Sequence, residues 1–366
     1  MLKDRITGKF REFLYFIHRH PSTGILPPGV PCQVEHPAID ITHGDIVHPC
    51  VRYIEEGFEG HRWWLVYTPF YAGNDNLENP VLCYADNNTD EAPTEWKYYC
   101  TIKKQPEYGY NSDPTLLFKN GSLYVFWREV KTPATQQFAC DAATFGCSVC
   151  NKTVTPLPQP LLKNLDSWHN TVDHEISPTI IESKDTYLAY AMHLTITPPF
   201  IYKLPSRIGS FIYRHHLFPL LDAFGIYHDT KSHGISIWKG TSLESPFQYI
   251  KTVKIKGTTS LYQPWHMDLL HGAKGSEELY AIIQSSMRFA DICLARSNDG
   301  EHFSLYRKPL ITSKSIGREG IYKPCALIVG NKFHLYYTAR DRQDHLLNRL
   351  FVTTIDWQEL SGILNH

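Results

Sequence analysis

The chain has 366 residues, with 36 lysines and arginines against 37 aspartates and glutamates, and a formal net charge of −1. This balance excludes the strongly basic face that nucleic-acid binding normally requires. The hydrophobic fraction of 42% is enough for a sizeable core and excludes wholesale disorder. The length allows two or three domains, or one large all-β unit.

The first 20 residues predict a short basic amphipathic helix, with positive charges at Lys3, Arg5, Lys9, Arg11 and Arg19. The apolar run at residues 13–17 is too short for a signal peptide and has no small-residue cleavage site. We therefore expect a cytoplasmic protein in which the nine cysteines are reduced. Residues 1–35 are assigned to an N-terminal arm.

Five copies of one pattern follow the arm. Each copy has a turn, an apolar strand, a Gly/Asn/Asp turn and an aromatic-rich strand. Marker residues in the five first strands are Pro49, Pro114, Pro178, Asp268 and Pro324, separated by 65, 64, 90 and 56 residues. Four short strands repeated five times predict an all-β fold, a five-bladed β-propeller over residues 36–366.

The longest interval contains an insertion in the third blade, at about residues 196–230, that mixes large apolar residues with basic ones. We favour packing across the propeller for residues 1–20 and a lid over its mouth for the insertion. The alternative is peripheral contact of both segments with the inner face of a membrane.

Propeller geometry collects polar residues at one end of the central channel, where first strands begin and second strands end. The predicted first-strand residues are Asp45, His48, Asp113, His174, Glu175, His266, Asp268, Tyr322 and Lys323. The predicted second-strand residues are Thr68, Arg128, Glu129, His193, Arg288, Arg340 and Asp341, with Glu78 in a loop and Trp265 at the mouth. Because buried charges are costly unless paired or used, this density indicates a site, although single residues can also line a water-filled channel.

Several motifs carry a resemblance over roughly residues 40–356. Ser112-Asp113-Pro114 and the segment SNDGEHF at 297–303 resemble the five-bladed propeller glycosidase superfamily, which includes arabinanase/xylosidase, invertase/levansucrase and mannoside phosphorylase families. His48-Pro49, Glu78-Asn79-Pro80 and Pro264-Trp265-His266-Met267-Asp268 resemble uncharacterised bacterial members. The resemblance implies axial carboxylates, one acting as nucleophile or base and another as general acid.

The catalytic candidates are Asp113, Asp268, Glu175 and His266, and among the carboxylates we favour Asp113 and Asp268. His266 and Asp268 are two residues apart, so on a strand both side chains face the same way and can act as an acid/base unit. The expected substrate-binding residues are His48, Glu78, Arg128, Glu129, His174, Trp265, Arg288, Lys323 and Arg340.

We expect a carbohydrate-active enzyme that acts on a glycosidic bond of an oligosaccharide or glycoside, in intracellular glycan processing or surface polysaccharide biosynthesis. His48 stands where the glycosidases have their first-blade aspartate, which leaves two alternatives open. One is a glycosyltransferase or phosphorylase, with Arg128, Arg340 and Lys323 receiving phosphate or a nucleotide sugar. The other is a non-catalytic glycan-binding propeller.

A divalent ion on the axis is a further alternative, with His48, His174, His266 and Asp268 as ligands. No HExxH motif and no cysteine-based spacing supports it. We therefore favour hydrogen-bonded channel histidines and expect no cofactor.

Overall fold

The described part of the chain forms five β-sheets in succession, seen in a computed structural model of the protein. It comprises residues 24–36, 45–71, 77–131, 141–163, 172–196, 230–258, 263–285, 291–341 and 344–365. The early strands are β1 (Val30–Pro31), β2 (Gln33–Val34), β3 (Ile46–Phe58), β4 (His61–Pro69), β5 (Val81–Ala85) and β6 (Glu95–Thr101). The second sheet contains β7 (Tyr110–Lys119), β8 (Ser122–Lys131), β9 (Asp141–Cys150), β10 (Thr153–Pro156) and β11 (Leu162–Lys163).

The third sheet contains β12 (Val172–Ser183), β13 (Thr186–Ile196), β14 (Thr230–Gly240) and β15 (Gln248–Val253). The fourth contains β16 (Pro264–His271), β17 (Leu279–Ser285), β18 (Ile292–Ser297) and β19 (Ser304–Leu305). The fifth contains β20 (Glu319–Val329), β21 (Lys332–Asp341) and β22 (Asp344–Asp356).

Each sheet is one blade of a propeller. The first strand of every blade contacts the first strand of the next, from β3 through β7, β12, β16 and β20 and back to β3. These five strands therefore surround a central axis, and later strands lie further out. The five-bladed all-β propeller predicted from the repeat is confirmed.

The predicted insertion falls between β13 and β14 of blade 3. Its residues 197–229 lie outside the described residues, as does the helix predicted within residues 1–20. The proposed lid and membrane roles of these segments stay predictions.

Residues early in the chain join the first blade to the fifth. β1 pairs antiparallel with β22 at the outer edge of blade 5, where Val30 lies opposite Val352. β2 pairs in parallel with β6 at the outer edge of blade 1, where Val34 lies opposite Trp96. Residues 30–34, which the sequence assigned to the N-terminal arm, thus contribute strands to two blades.

Apolar packing lies between the blades. Five clusters of buried side chains in the described residues each join two neighbouring blades. Between blades 1 and 2, for example, Trp64 and Leu123 are both completely buried. The hydrophobic effect therefore holds each blade against its neighbours.

Two helices occur among the described residues, α1 (Ser313–Ile316) and α2 (Trp357–Asn365). Trp357 packs its ring against Tyr280 and Phe333, at centroid distances of 5.1 and 5.9 Å. Neither helix has the length and apolar character needed to cross a membrane.

Candidate functional site

Three of the described first strands carry the same irregularity near their start. His48, Asp113 and Ser177 each precede a proline and have positive φ angles of 53°, 52° and 52°. The pairing register with the second strand shifts at each of these points, as at a β-bulge. Positive φ is uncommon for residues other than glycine, and strained backbone of this kind clusters at functional sites.

The bulges bring side chains of different blades together in an axial cluster, which consists of His48, Asp113, Ser177, His266, Tyr322 and Lys323. Asp113 Oδ1 accepts a hydrogen bond from Ser177 Oγ at 3.2 Å and lies 3.3 Å from His266 Nδ1. Lys323 Nζ lies 3.6 Å from the same oxygen, and His48 Nε2 lies 3.8 Å from it. Asp113 is therefore the centre of the cluster.

His48 is held from its Nδ1 side. Nδ1 lies 2.9 Å from Thr68 Oγ1 and 3.5 Å from Glu78 Oε2. The Nε2 atom faces Asp113 and also lies 3.4 Å from the Tyr322 hydroxyl. A polar partner on one ring nitrogen fixes the orientation of the ring and leaves the other nitrogen for the site.

His266 presents an unused nitrogen. Its Nδ1 lies 2.7 Å from Ser177 Oγ, whereas its Nε2 is buried and has no hydrogen-bond partner among the described residues. The Tyr322 ring packs against both imidazoles, with its centroid 4.6 Å from that of His266 and 5.1 Å from that of His48. Unsatisfied buried polar atoms are uncommon in native proteins, so this nitrogen needs an explanation.

Burial and neighbouring charges set the protonation states of the cluster. Burial lowers the pKa of His48 to about 3 and lowers the pKa of His266 as well. Burial acts to raise the pKa of Asp113, but its close polar contacts with His48, Lys323 and His266 outweigh burial and hold that pKa well below its usual range. Burial, together with Asp113 and Glu78, raises the pKa of Tyr322 well above its usual value. The cluster therefore holds two neutral imidazoles, one carboxylate and a protonated phenol.

Three members of the cluster fit a metal ion. His48, Asp113 and His266 each offer one ligand atom, and these atoms lie within 4.8 Å of one another. Neutral imidazole and ionised carboxylate are the forms that bind metal. Two imidazoles with one carboxylate suit zinc or a first-row transition ion, because calcium prefers six or more oxygen ligands. The partnerless Nε2 of His266 agrees with this donor set.

The structure places Asp268 in an ion pair. Its Oδ1 accepts a hydrogen bond from Arg52 Nη2 at 2.8 Å, and its Oδ2 accepts one from Arg52 Nη1 at 3.1 Å. The predicted acid/base unit of His266 and Asp268 is wrong, because His266 contacts Asp113 instead. The two side chains do leave the same face of β16, but two residues of strand separate them by roughly 6.6 Å along the channel. Asp268 therefore belongs to a deeper layer.

Two predicted substrate-binding residues contact each other beside the cluster. Arg128 at the end of β8 donates a hydrogen bond from Nη2 to His174 Nδ1. Burial and the Arg128 charge lower the pKa of His174 to about 2, so this imidazole is neutral. Neighbouring Glu129 lies instead 3.4 Å from Lys103 Nζ and 3.6 Å from Lys131 Nζ. His174 is thus a partner of Arg128 and is not one of the three grouped ligands.

The remaining predicted residues have separate positions. Glu175 accepts a hydrogen bond from Ser236 Oγ in the third strand of its own blade. Arg340 Nε donates to Asn348 Oδ1 at 3.1 Å on the neighbouring strand. Arg288 lies outside the described residues. Trp265 is half-buried, and its ring centroid lies 6.2 Å from that of His266.

Two important residues were absent from the predicted set. Ser177 bridges Asp113 and His266, and Arg52 neutralises Asp268. Ser177 could have been predicted from the sequence, because it precedes the marker proline of blade 3 just as His48 and Asp113 precede theirs. Arg52 could not have been predicted, since its partner comes from a blade more than 200 residues away in sequence.

Solved structures share this fold, whereas the two sequence comparisons found no match. No protein-family model matches the chain, and no curated protein matches its sequence. An N-acetylgalactosamine deacetylase from F. plautii, solved with blood group B trisaccharide, has a TM-score of 0.63 at 14% identity, over 94% of this chain and 98% of that one.

Two glycosidases are also similar in structure. A GH43 β-xylosidase/α-arabinofuranosidase from a compost microbial metagenome, solved with xylotriose, has a TM-score of 0.53 at 13% identity, over 90% of this chain and 95% of that one. An α-L-arabinanase from Cellvibrio cellulosa has a TM-score of 0.52 at 10% identity, over 84% and 90%. Identities this low show the fold alone. The resemblance to xylosidase and arabinanase propellers inferred from the sequence is confirmed at that level.

Proposed function

We propose that the protein is a carbohydrate-active hydrolase whose axial cluster holds a divalent cation on His48, Asp113 and His266. One observation carries the proposal: these three ligands converge from blades 1, 2 and 4 to within 4.8 Å of one another. The unpartnered Nε2 of His266, judged over the described residues, supports it. The deacetylase and xylosidase of similar fold, both solved with oligosaccharides, support a sugar substrate.

The bond that we assign is an acyl bond, in an N- or O-acetyl group of a sugar. A bound divalent cation supplies Lewis-acid polarisation of a carbonyl and promotes ionisation of water. Glycosidic bonds are normally cleaved by two carboxyl groups, whereas Asp113 is the one carboxylate in the axial cluster and Asp268 is tied to Arg52. The structure with the higher TM-score is likewise a deacetylase.

Residues of the chain set the chemistry around the three ligands. Thr68 and Glu78 hold His48 so that Nε2 faces Asp113. Lys323 helps to keep Asp113 ionised. Tyr322 stays protonated, and its hydroxyl beside His48 Nε2 is placed to donate a hydrogen bond to a substrate carbonyl oxygen.

Cleavage of a glycosidic bond is the second candidate, and one arrangement favours it. Glu78 and Asp113 flank His48 on opposite ring nitrogens, at 3.5 and 3.8 Å. Carboxylates on either side of one ring are compatible with the separation of roughly 6.5–9.5 Å in inverting glycosidases. Asp113 would then act as the base and Glu78 as the acid. The transferase, phosphorylase and non-catalytic alternatives and the cytoplasmic location stay predictions.

One substrate separates the two candidates. The full chain is treated with a chelator, titrated calorimetrically with Zn²⁺, Mn²⁺, Co²⁺ and Ca²⁺, and then given p-nitrophenyl N-acetylgalactosaminide. We expect stoichiometric binding of a transition ion, weaker binding of Ca²⁺, and release of acetate. Release of nitrophenol without acetate would assign the glycosidic bond instead.

A pair of variants controls the experiment. His266→Gln should lose both cation binding and acetate release. His302→Gln alters an imidazole whose side chain is 81% exposed and should keep both. Absence of cation binding by the unaltered chain, or unchanged binding by His266→Gln, would overturn the assignment of the ligands.

A further inference from the structure

We propose that Arg128 forms an anion-binding subsite beside the axial cluster, so that the sugar acted on carries a carboxylate, phosphate or sulfate group. The identity of the ligand as a sugar rests on the proposed function. The anion site itself rests on the contacts of Arg128.

Among the described residues, Arg128 is a buried cation without an acidic partner. The residue is only 5% exposed, and its Nε has no hydrogen-bond partner among the described residues. In the same part of the chain no carboxylate lies within ion-pair distance of the guanidinium, since neighbouring Glu129 contacts Lys103 and Lys131. Arginines are seldom buried unless they are paired, because removing the charge from water is costly.

The one hydrogen bond that Arg128 makes within the described ranges leaves its charge intact. Its Nη2 donates to His174 Nδ1, and a neutral imidazole adds no negative charge. This contact fixes the guanidinium plane and leaves Nε–H for a ligand. A planar guanidinium with adjacent N–H donors matches the oxygen pairs of carboxylates and phosphates, which it binds in a bidentate manner.

The subsite is continuous with the axial cluster. Arg128 on β8 lies opposite Ser112 on β7, the residue next to the proposed ligand Asp113, and its partner His174 lies three residues before Ser177 of the cluster. Lys103 lies over the ring of Trp127, with Nζ 5.8 Å from its centroid, and shares Glu129 with Lys131. Two ammonium groups on one carboxylate, together with Arg128, make this side of the site positive and complementary to an anion.

Calorimetry on the full chain tests the subsite with three probes: glucuronate, inorganic phosphate and glucose. We expect at least one anion to bind and glucose to bind roughly tenfold more weakly or not at all. Tighter binding of glucuronate would assign a carboxylate, and tighter binding of phosphate would assign a tetrahedral oxyanion. Glucose binding as tight as that of both anions would overturn the proposal.

Variants locate the site. Arg128→Met should weaken anion binding roughly tenfold or more, and Arg128→Lys, which keeps the charge without the planar donors, should weaken it less. The lysine variant decides the matter if the methionine variant fails to fold. Arg296→Met, which removes a surface guanidinium 3.5 Å from Glu278, should bind anions as the unaltered chain does. Equal anion affinity in all variants would overturn the proposal.

Cation titrations on the same samples separate this inference from the proposed function. Anion binding lost in Arg128→Met, with no cation binding by any sample, would support the subsite and remove the proposed function. Cation binding without any anion binding would support the proposed function and remove the subsite.

Discussion

His266 Nδ1 lies 3.3 Å from Asp113 Oδ1, a contact between first strands of blades 4 and 2 that passes over blade 3. Ser177 of blade 3 stands between them, with its hydroxyl 2.7 Å from that nitrogen and 3.2 Å from that oxygen. A small residue in blade 3 thus lets the longer side chains on either side of it meet. Blades 1, 2 and 4 supply the proposed ligands, whereas blade 3 supplies a hydroxyl that positions two of them.

The central place of Asp113 leads to a prediction about ligand removal. Asp113→Asn should abolish the stabilisation that Zn²⁺ gives to the chelator-treated chain, because the amide is a much weaker metal ligand than the carboxylate. At a free Zn²⁺ concentration 100 times Kd, the unaltered chain should gain about 2.7 kcal/mol in the free energy of unfolding. Denaturant titrations with and without Zn²⁺ measure that gain.

The control for this measurement is Asp86→Asn, which alters an exposed carboxylate paired with Lys97. It should gain as much from Zn²⁺ as the unaltered chain. A full gain in Asp113→Asn would remove Asp113 from the ligand set.

The sequence allowed the five blades to be predicted, together with the end of the central channel at which the polar residues meet. The marker prolines lie at register shifts in blades 1, 2, 3 and 5, and the residues before them reach the axis. His48-Pro49 and Asp113-Pro114 therefore identified two members of the cluster. Lys323-Pro324 identified a third, and His266 came from the corresponding strand of blade 4.

The pairing of the charges could not be predicted, because it depends on depth along the channel and on contacts between distant blades. Asp268 shares a strand face with His266, yet one layer further down it meets Arg52. Arg128 has a carboxylate next to it in sequence, that of Glu129. Only the structure shows that Glu129 contacts two lysines instead of Arg128. Spacing along a strand predicts which face of the sheet a side chain occupies, but not which residue it contacts.

The Arg52–Asp268 pair should be structural. Asp268→Asn should lower the free energy of unfolding by about 3 kcal/mol, because it leaves a largely buried guanidinium without its counter-charge. Zn²⁺ affinity should stay as in the unaltered chain, since Asp268 is not among the three ligands. Guanidinium chloride unfolding and calorimetry measure the two quantities.

The double variant Arg52→Met/Asp268→Leu tests the cause of that loss. Removing both charges should recover part of the stability, because no unpaired charge remains. Unchanged stability with lost Zn²⁺ binding in Asp268→Asn would instead support the catalytic role that the sequence suggested for Asp268.

Gly109 positions the strand that carries Asp113. It has a φ of +105°, and an added Cβ would lie 1.9 Å from the carbonyl oxygen of Val130. Gly109→Ala should therefore lower the free energy of unfolding by about 3 kcal/mol, because it strains the backbone and displaces the start of β7. It should also weaken Zn²⁺ binding, since Asp113 lies four residues further on.

Gly121, in the same blade, is the matched control for Gly109. Its φ is +74°, but an added Cβ would meet nothing within 4 Å. Gly121→Ala should lower the free energy of unfolding by only about 1 kcal/mol, because left-handed backbone is unfavourable for alanine. Equal losses in the two variants would show that the approach to Val130 does not matter.

His334 should contribute to loss of stability in acid. Its side chain is completely buried in β21, and burial lowers its pKa from 6.5 to about 4. Between these values the unfolded chain binds a proton that the folded chain excludes, so the free energy of unfolding falls as the pH falls. One such group contributes about 1.4 kcal/mol per pH unit where the difference is complete. His334→Asn, which can still bond the Thr354 hydroxyl that His334 Nδ1 contacts at 2.9 Å, should make the slope between pH 6 and pH 5 shallower. An unchanged slope in denaturant titrations across that interval would show that His334 is already protonated in the folded chain.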